Sequence, residues 1–303
     1  MYEQISKNKR LSYLLIVVVA VLLLVLGSAI GYATGFGVLG LMAAAAIAVV
    51  MGLTSYYRGD KMVLVASRAH RVNHDDEPQL FNVVEEMAIA AGSPMPAVYV
   101  IEDSAPNAFA TGRNPEHSSI AVTRGLMDKL NREELQGVVA HEMSHVRNYD
   151  ILFATMVGVL VGSIALMADF FLHWGFFTGG RRGRSSGGGY LQIAMMALAL
   201  VMAILAPLAA RAVQMSISRK REYMADASAV ELTRNPLGLA GALEKISRDQ
   251  EVLEVANRAT AHLYIANPVK KFEKRSKHMF SSHPPIQMRI QALRAMANAP
   301  AAR

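Results

Sequence analysis

The sequence predicts an integral membrane protein that is mainly α-helical and contains a small β-sheet. Of its 303 residues, 52% are hydrophobic and only 18% are charged, whereas soluble domains usually contain about 25% charged residues. Two long apolar regions are each long enough for a helical hairpin. The polar regions that follow them combine helical periodicity with a few short β-type runs.

The first apolar region predicts an N-terminal transmembrane hairpin over residues 1–57. The stretch Leu11–Tyr57 contains no charged residue, and one spanning helix needs about 20 residues. Glycines in the middle of the stretch favour a tight turn; they are Gly27, Gly31, Gly35 and Gly37. A cleaved signal peptide is the alternative, but its apolar core would be only about 7–15 residues long, so we expect retained anchors.

Residues 151–210 predict a second apolar hairpin, which is transmembrane or partly re-entrant. Asp169 interrupts its first half, and Tyr190–Ala210 is the better span. Between the halves, Gly179–Gly189 is rich in Gly, Ser and Arg and predicts a loop. Basic residues flank the N-terminal segment and both polar regions, which places these in the cytoplasm. If the second hairpin spans the membrane, the arginines of the Gly179–Gly189 loop lie on the far side, against this rule. A spanning hairpin and a partly re-entrant hairpin therefore both stay open.

Two polar blocks, residues 58–150 and 211–303, predict the soluble part. In the first block we expect a helix after Pro78, strands at Ala97–Ile101 and Ser119–Thr123, and a further strand at Asn107–Thr111. Asn131 and Glu134 have the spacing of a capping box, and the helix behind them extends to about Tyr149. In the second block we expect three helices, over Arg211–Thr233, Pro236–Asp249 and Pro285–Met296.

Composition limits the chemistry of the protein. No cysteine is present, which excludes disulfides, catalytic thiols and zinc sites built on cysteine. Any metal must therefore be bound by His, Asp or Glu. The formal net charge of +7 is compatible with nucleic-acid binding, but the basic residues lie beside the apolar runs and favour anionic lipid instead. We expect a lipid bilayer as a partner and no nucleic acid.

The segment from His141 to His145 has the pattern H-E-x-x-H. On a helix, two histidines four residues apart lie on one face and can bind one ion. Zn²⁺ accepts imidazole nitrogens and keeps an open position for water in catalytic sites. Glu142, between the two histidines, is placed to take a proton from that water. The motif therefore predicts a zinc hydrolase site, with an unrelated pair of surface histidines as the alternative.

A third protein ligand is expected, and Glu222 is the strongest acidic candidate. It lies in the helix-prone stretch Arg221–Asp226, just after the second apolar region. Asp226 is one turn further along and could accept a hydrogen bond from a ligating histidine. Glu222 and His145 can meet only if an even number of spans separates them, and a hairpin satisfies this condition.

These motifs resemble the HtpX family of membrane zinc metalloproteases, which is related to the CAAX prenyl proteases. The likeness also includes Asn107–Gly112 and the segment Ser282–Pro285, and it extends over the whole chain. It implies a zincin-like (HExxH…ExxxD) metalloprotease domain in the bacterial inner membrane, with its active site facing the cytoplasm. The family takes part in stress response and protein quality control, and it cleaves damaged or misfolded membrane proteins.

The resemblance also implies roles for individual residues. His141, His145 and Glu222 would bind one Zn²⁺ per chain, and Glu142 would be the catalytic base. Asp226 would hold a ligating histidine, and His283 could stabilise the oxyanion. The five residues of the predicted edge strand would bind the substrate backbone; they are Asn107, Ala108, Phe109, Ala110 and Thr111.

Two alternative functions differ from this expectation. The first is a specific processing protease of the prenyl-protein type, although a short N-terminal hairpin argues against a many-span chamber. The second is a non-enzymatic membrane scaffold with a structural metal, whose coordination shell would be filled by four protein ligands. The sequence leaves open the physiological substrates, the cleavage preference, the oligomeric state and the regulation.

Overall fold

The structure is a computed structural model that describes residues 2–33, 37–160, 219–249, 251–254, 260, 263–265 and 284–298. Its helices are α1 Tyr2–Ala33, α2 Val38–Ala66, α3 Pro78–Ala91, α4 Arg124–Lys129, α5 Arg132–Arg147, α6 Asp150–Leu160, α7 Arg219–Thr233, α8 Pro236–Arg248 and α9 Ile286–Asn298. Its strands are β1 Ala69–Arg71, β2 Ala97–Ile101, β3 Ala108–Asn114 and β4 His117–Thr123. The described part is therefore mainly helical with a small sheet, as predicted.

The first apolar region forms two consecutive helices that pack against each other, α1 and α2. Helix α2 continues through the predicted boundary at residue 57 and ends at Ala66, because charged side chains such as Arg58 do not themselves end a helix. Among the described residues, Leu41–Ala66 is the one helix long and apolar enough to cross a membrane. That both hairpins span the bilayer stays a prediction.

Most of the second apolar region lies outside the described residues. Its first part is α6, which begins at Asp150 directly after the helix of the H-E-x-x-H motif. Residues 161–218, which include Asp169, the Gly179–Gly189 loop and Tyr190–Ala210, are not among those described.

The four strands form one sheet in the order β1-β2-β4-β3. β4 pairs with β2 in parallel and with β3 in antiparallel orientation. β3 is therefore an edge strand of the described sheet. Gly112, within β3, has a φ of 146°. A Cβ there would lie 2.4 Å from the carbonyl oxygen of His117, so only glycine fits this close approach.

Helix α5 lies at the centre of the fold, between the sheet and the C-terminal helices. The predicted capping box is present: the Asn131 side chain accepts a hydrogen bond from the backbone of Glu134, and the Glu134 side chain accepts one from Asn131. α5 contacts α3, α7, α8 and β3. At Gly137 a Cβ would lie 2.6 Å from the backbone nitrogen of Leu239, so this glycine allows α8 to pack closely on α5.

Candidate active site

The H-E-x-x-H motif lies in the buried C-terminal half of α5. Because His141 and His145 are one turn apart, their rings are in edge-to-face contact, and their Nε2 atoms are 3.3 Å apart. His141 is almost fully buried, while His145 is partly exposed. Helix α7 packs on α5 and supplies the third candidate ligand.

Glu222, in the first turn of α7, brings its carboxylate to the histidine pair. One carboxylate oxygen is 3.7 Å from Nε2 of His141 and the other is 3.8 Å from Nε2 of His145. The three candidate ligand atoms all lie within 4.8 Å of one another. The structure thus brings together the three residues that the sequence analysis proposed as metal ligands.

Each histidine also contacts its own carboxylate through Nδ1. His141 Nδ1 is 3.0 Å from Asp226 Oδ1, as the sequence analysis expected for Asp226. His145 Nδ1 is 3.0 Å from Asp150 Oδ2, a contact that the sequence analysis did not anticipate. In a neutral histidine whose Nδ1 donates a proton to a carboxylate, Nε2 is the atom that can bind a metal. This arrangement places both Nε2 atoms beside Glu222.

Each of these carboxylates is in turn paired with an arginine. Arg289, from α9, is fully buried and donates two hydrogen bonds to Asp226, of 2.9 and 2.6 Å. Its Nη1 also lies 3.5 Å from Glu222. Arg221 lies 3.7 Å from Asp150 through its Nε atom. These contacts connect the N-terminal part of the soluble domain to α7 and to the C-terminal helix.

The donor set fits a divalent metal, and zinc in particular. Two nitrogen ligands about 2.0–2.1 Å from a tetrahedral zinc ion lie about 3.3 Å apart, which agrees with the separation of the two Nε2 atoms. The charges also fit, because the described residues around the histidines include more carboxylates than guanidinium groups. The carboxylates are Glu142, Asp150, Glu222 and Asp226, and the guanidinium groups are Arg221 and Arg289. A divalent cation would balance the excess.

Glu142 lies in the same pocket, between α5 and β3. Its side chain is buried, and burial raises its pKa above the ordinary value, while the neighbouring histidines and a hydrogen bond from the backbone of Ala110 lower it. A buried carboxylate with a raised pKa that faces a candidate metal site is typical of a general base.

The two histidine–aspartate contacts accompany pKa shifts in opposite directions: the pKa of Asp226 is lowered and that of His145 is raised. Burial alone raises the pKa of Asp226, but His141 and Arg289 outweigh burial and lower the pKa to about 2. Burial alone lowers the pKa of His145, but the hydrogen bond to Asp150 and the charge of Glu222 raise it to about 9. Without a metal, His145 is therefore protonated at neutral pH, and Asp226 is ionised.

Comparison with known proteins identifies the family. Residues 74–297 match the family described as "Peptidase family M48", and this range contains both ligand motifs. The chain belongs to peptidase family M48. It is therefore a metallopeptidase, which confirms the hydrolase predicted from the sequence and removes the non-enzymatic scaffold alternative.

Curated relatives of this M48 peptidase match it over almost its entire length. A "Protease HtpX homolog" from Ligilactobacillus salivarius is 43% identical over 297 residues, covering 98% of this chain and 100% of the relative. One from Listeria innocua is 45% identical over 304 residues with the same coverage. Among solved structures, the "Crystal Structure of S. mikatae Ste24p" matches with 20% identity and a TM-score of 0.48, covering 97% of this chain and 67% of that one.

The predicted substrate strand of the M48 domain lies beside α5. Asn107, Ala108, Phe109, Ala110 and Thr111 are all buried. Within the described residues, the outer edge of β3 is already in contact with protein groups: Ile265 donates its backbone N–H to the carbonyl of Ala108, and Glu142 accepts the N–H of Ala110. Substrate binding along this edge stays a prediction.

His283, the predicted oxyanion partner, lies outside the described residues. The segment that follows it is described, and it leads into α9 and Arg289.

Three charged residues near the candidate metal site were not predicted from the sequence: Asp150, Arg221 and Arg289. Arg221 directly precedes Glu222, and Asp150 follows the helix of the H-E-x-x-H motif. An arginine in an amphipathic helix such as α9 is usually solvent-exposed, so no sequence pattern marked Arg289 as a buried residue.

Proposed function

We propose that this chain is a multi-pass zinc endopeptidase of the bacterial inner membrane. It hydrolyses peptide bonds of damaged or misfolded membrane proteins, and its active site faces the cytoplasm. The observation that carries the proposal is the convergence of two Nε2 atoms and one carboxylate, with the Nδ1 atom of each histidine hydrogen-bonded to its own aspartate. A zinc ion in this site supplies Lewis-acid chemistry, polarising a carbonyl and lowering the pKa of water.

The protein groups handle the proton transfers. Glu142 accepts a proton from the attacking water and later donates it to the amine leaving group. Burial of its carboxylate keeps this pKa above that of an exposed glutamate, so the residue can serve in both directions. The hydrogen bond from Ala110 fixes the carboxylate relative to β3 and so relative to a substrate bound there. His283 is proposed to stabilise the oxyanion.

Substrate recognition is proposed to use the backbone of β3. An extended peptide that adds to a sheet edge is held mainly by main-chain hydrogen bonds, which depend little on sequence. This mode suits a protease that acts on many unfolded segments. Because Glu142 contacts Ala110 of the same strand, a peptide on this edge would lie next to the catalytic base.

The membrane location is supported by α1 and α2. Large apolar side chains on both helices are more than half exposed, among them Leu14, Val17, Ile47 and Leu53, and such an apolar surface favours contact with lipid. Lys9 of α1 lies 4.0 Å above the ring of Tyr149, directly beside the catalytic helix. The basic N-terminal segment is therefore close to the candidate active site. Because the positive-inside rule places basic flanking segments in the cytoplasm, this proximity supports an active site that faces the cytoplasm.

The test is a proteolysis assay on the detergent-solubilised protein. We expect the wild-type protein to cleave an unfolded general substrate, to lose activity on chelation and to recover it with zinc. Glu142→Gln should retain zinc and lose cleavage by at least about 100-fold. Glu133→Gln, on the exposed side of the same helix, is the matched control and should cleave normally.

The outcomes separate the proposal from its alternatives. Wild-type-like cleavage by Glu142→Gln would remove this residue from the role of base. Cleavage restricted to a defined prenylated peptide, with none of the unfolded substrate, would favour the specific processing protease. A preparation that binds no zinc at all would contradict the metal assignment.

A further inference from the structure

Helix α6 begins at a residue that contacts the candidate metal site. The chain leaves α5 through Tyr149, whose φ of 59° is unusual for a residue other than glycine. This left-handed turn brings the first residue of α6, Asp150, back to His145, where its carboxylate lies 3.0 Å from Nδ1. The orientation of one candidate ligand thus depends on the position of α6.

The same helix holds the edge strand. Thr155, five residues further along α6, is buried, and its hydroxyl lies 2.8 Å from the hydroxyl of Thr111. It also accepts a hydrogen bond of 3.2 Å from the backbone nitrogen of Gly112. Both partners belong to β3, the strand whose edge lies next to Glu142.

Helix α6 also packs on the apolar helix α2, in part through the methyl group of the same Thr155. At Gly59 of α2, a Cβ would lie 3.1 Å from Cγ2 of Thr155 and 3.4 Å from Cγ2 of Val159, so the two helices touch at a position without a side chain. One turn earlier on α2, the hydroxyl of Ser55 lies 3.3 Å from the sulfur of Met156. The position of α6 relative to the rest of the fold therefore depends on its contact with α2.

We propose that α6 is a positioning element, through which α2 sets the geometry of both halves of the active site. Asp150 orients the ligand His145, and Thr155 holds the edge strand β3 at the substrate position. Both are positioning residues, since each acts through another group. This inference rests on the proposed function, because it assigns His145 to a metal and β3 to the substrate. The inference predicts that variants of Asp150 change zinc affinity alone and that variants of Thr155 change KM alone.

The Asp150 half is tested by zinc affinity, measured by competition with a chelator on the full-length protein in detergent. We expect Asp150→Ala to weaken zinc binding by about 10- to 100-fold, as is typical when the hydrogen-bond partner of a ligating histidine is lost. Asp150→Asn keeps an acceptor oxygen and should fall between Asp150→Ala and wild type. In both variants KM should be unchanged under saturating zinc.

The Thr155 half is tested by KM for the unfolded substrate. Thr155→Val has nearly the same shape but leaves two buried groups of β3 without their partner, and we expect KM to rise by about tenfold with zinc affinity unchanged. Thr155→Ser retains the hydroxyl and should restore KM. This rescue distinguishes the hydrogen bond from a general packing effect.

The link to α2 is tested by Gly59→Ala, which pushes α6 away from α2. Both zinc affinity and KM should change in this variant. Gly52→Ala, on the same helix, is the matched control, because its Cβ would be in ordinary contact with Ile16 at 3.7 Å. It should behave as wild type in both measurements.

The proposal is overturned if Asp150→Ala binds zinc as tightly as wild type, or if Thr155→Val leaves KM unchanged. It is equally overturned if Thr155→Ser fails to rescue KM, or if Gly59→Ala and Gly52→Ala behave alike. Failure of the proposed function looks different. In that case the wild-type protein cleaves no substrate, while the zinc measurements on the Asp150 variants still support or reject the positioning of His145.

Discussion

Two series of three residues meet at the candidate metal site, and they differ in how deeply they are buried. The inner triad consists of His141, Asp226 and Arg289, and the outer triad of His145, Asp150 and Arg221. In both, a histidine Nδ1 lies 3.0 Å from an aspartate oxygen. The side chains of the inner triad are at most 2% exposed, whereas those of the outer triad are 11–16% exposed.

The contacts to the arginines differ in the same direction. Arg289 binds Asp226 through two hydrogen bonds of 2.9 and 2.6 Å, while Nε of Arg221 lies at the longer distance of 3.7 Å from Asp150 Oδ1. A buried, bidentate pair fixes the aspartate in one orientation, and a looser, more exposed pair allows it to move. The comparison indicates that the inner triad is a rigid support, whereas the outer triad can follow a displacement of α6.

The largest expected difference concerns the arginines themselves. Arg289→Met leaves the buried carboxylate of Asp226 without its bidentate cation, which should lower the free energy of unfolding of the metal-free protein by about 3–5 kcal/mol. Arg221→Met should cost less than about 1 kcal/mol, because its partner is partly solvated. The check is the midpoint of thermal unfolding of chelated protein in detergent.

A second variant guards this comparison against a simple loss of packing. If the effect of Arg289→Met comes from uncompensated charge, the double variant Arg289→Met/Asp226→Asn should regain part of the stability. Equal losses for the two single arginine variants would contradict the proposed difference in rigidity.

The two triads should affect the pH dependence of stability at opposite ends of the pH range, the inner triad at acid pH and the outer triad at alkaline pH. The pKa of Asp226 is lowered from 3.8 to about 2, so its contribution of about 2 kcal/mol is present above pH 4 and is lost as the pH falls toward 2. The pKa of His145 is raised from 6.5 to about 9. Its contribution is full below pH 6.5 and is lost as the pH rises through 9.

Unfolding of metal-free protein across this pH range is the measurement. Asp226→Asn should flatten the acid limb alone, and His145→Gln should flatten the alkaline limb alone. A single variant that flattened both limbs would show that the two triads titrate as one unit, contrary to the comparison.

Local patterns explain why much of this site was predictable from the sequence. The spacing of His141 and His145 requires only one helical turn, and the capping box at Asn131 and Glu134 marks where that helix begins. Glu222 was proposed as the third ligand from its motif, and the expected parity of the intervening spans is compatible with that proposal. Each of these signals lies within a few neighbouring residues, or in a simple topological rule.

The missed features depend on contacts that no local pattern encodes. Asp150 reaches His145 because Tyr149 adopts a left-handed conformation, which residues other than glycine rarely do. Arg289 is buried because α9 packs over α7 and α8. Strand β1 has only three residues, Ala69–Arg71, two of them polar, and it pairs with β2 through tertiary structure. Such features follow from packing, so the sequence alone does not mark them.

The smallest expected effects come from replacing the arginines by lysine, and they test the geometry of the contacts rather than their charge. A lysine cannot reproduce a bidentate contact with a carboxylate, so Arg289→Lys should lose one charge-assisted hydrogen bond and about 1–2 kcal/mol of unfolding free energy. Arg221→Lys should change stability by less than about 0.5 kcal/mol, since one contact at 3.7 Å needs no fixed fork geometry. Thermal unfolding of the chelated proteins measures both, and a loss at Arg221 as large as that at Arg289 would mean that the outer triad is held as rigidly as the inner one.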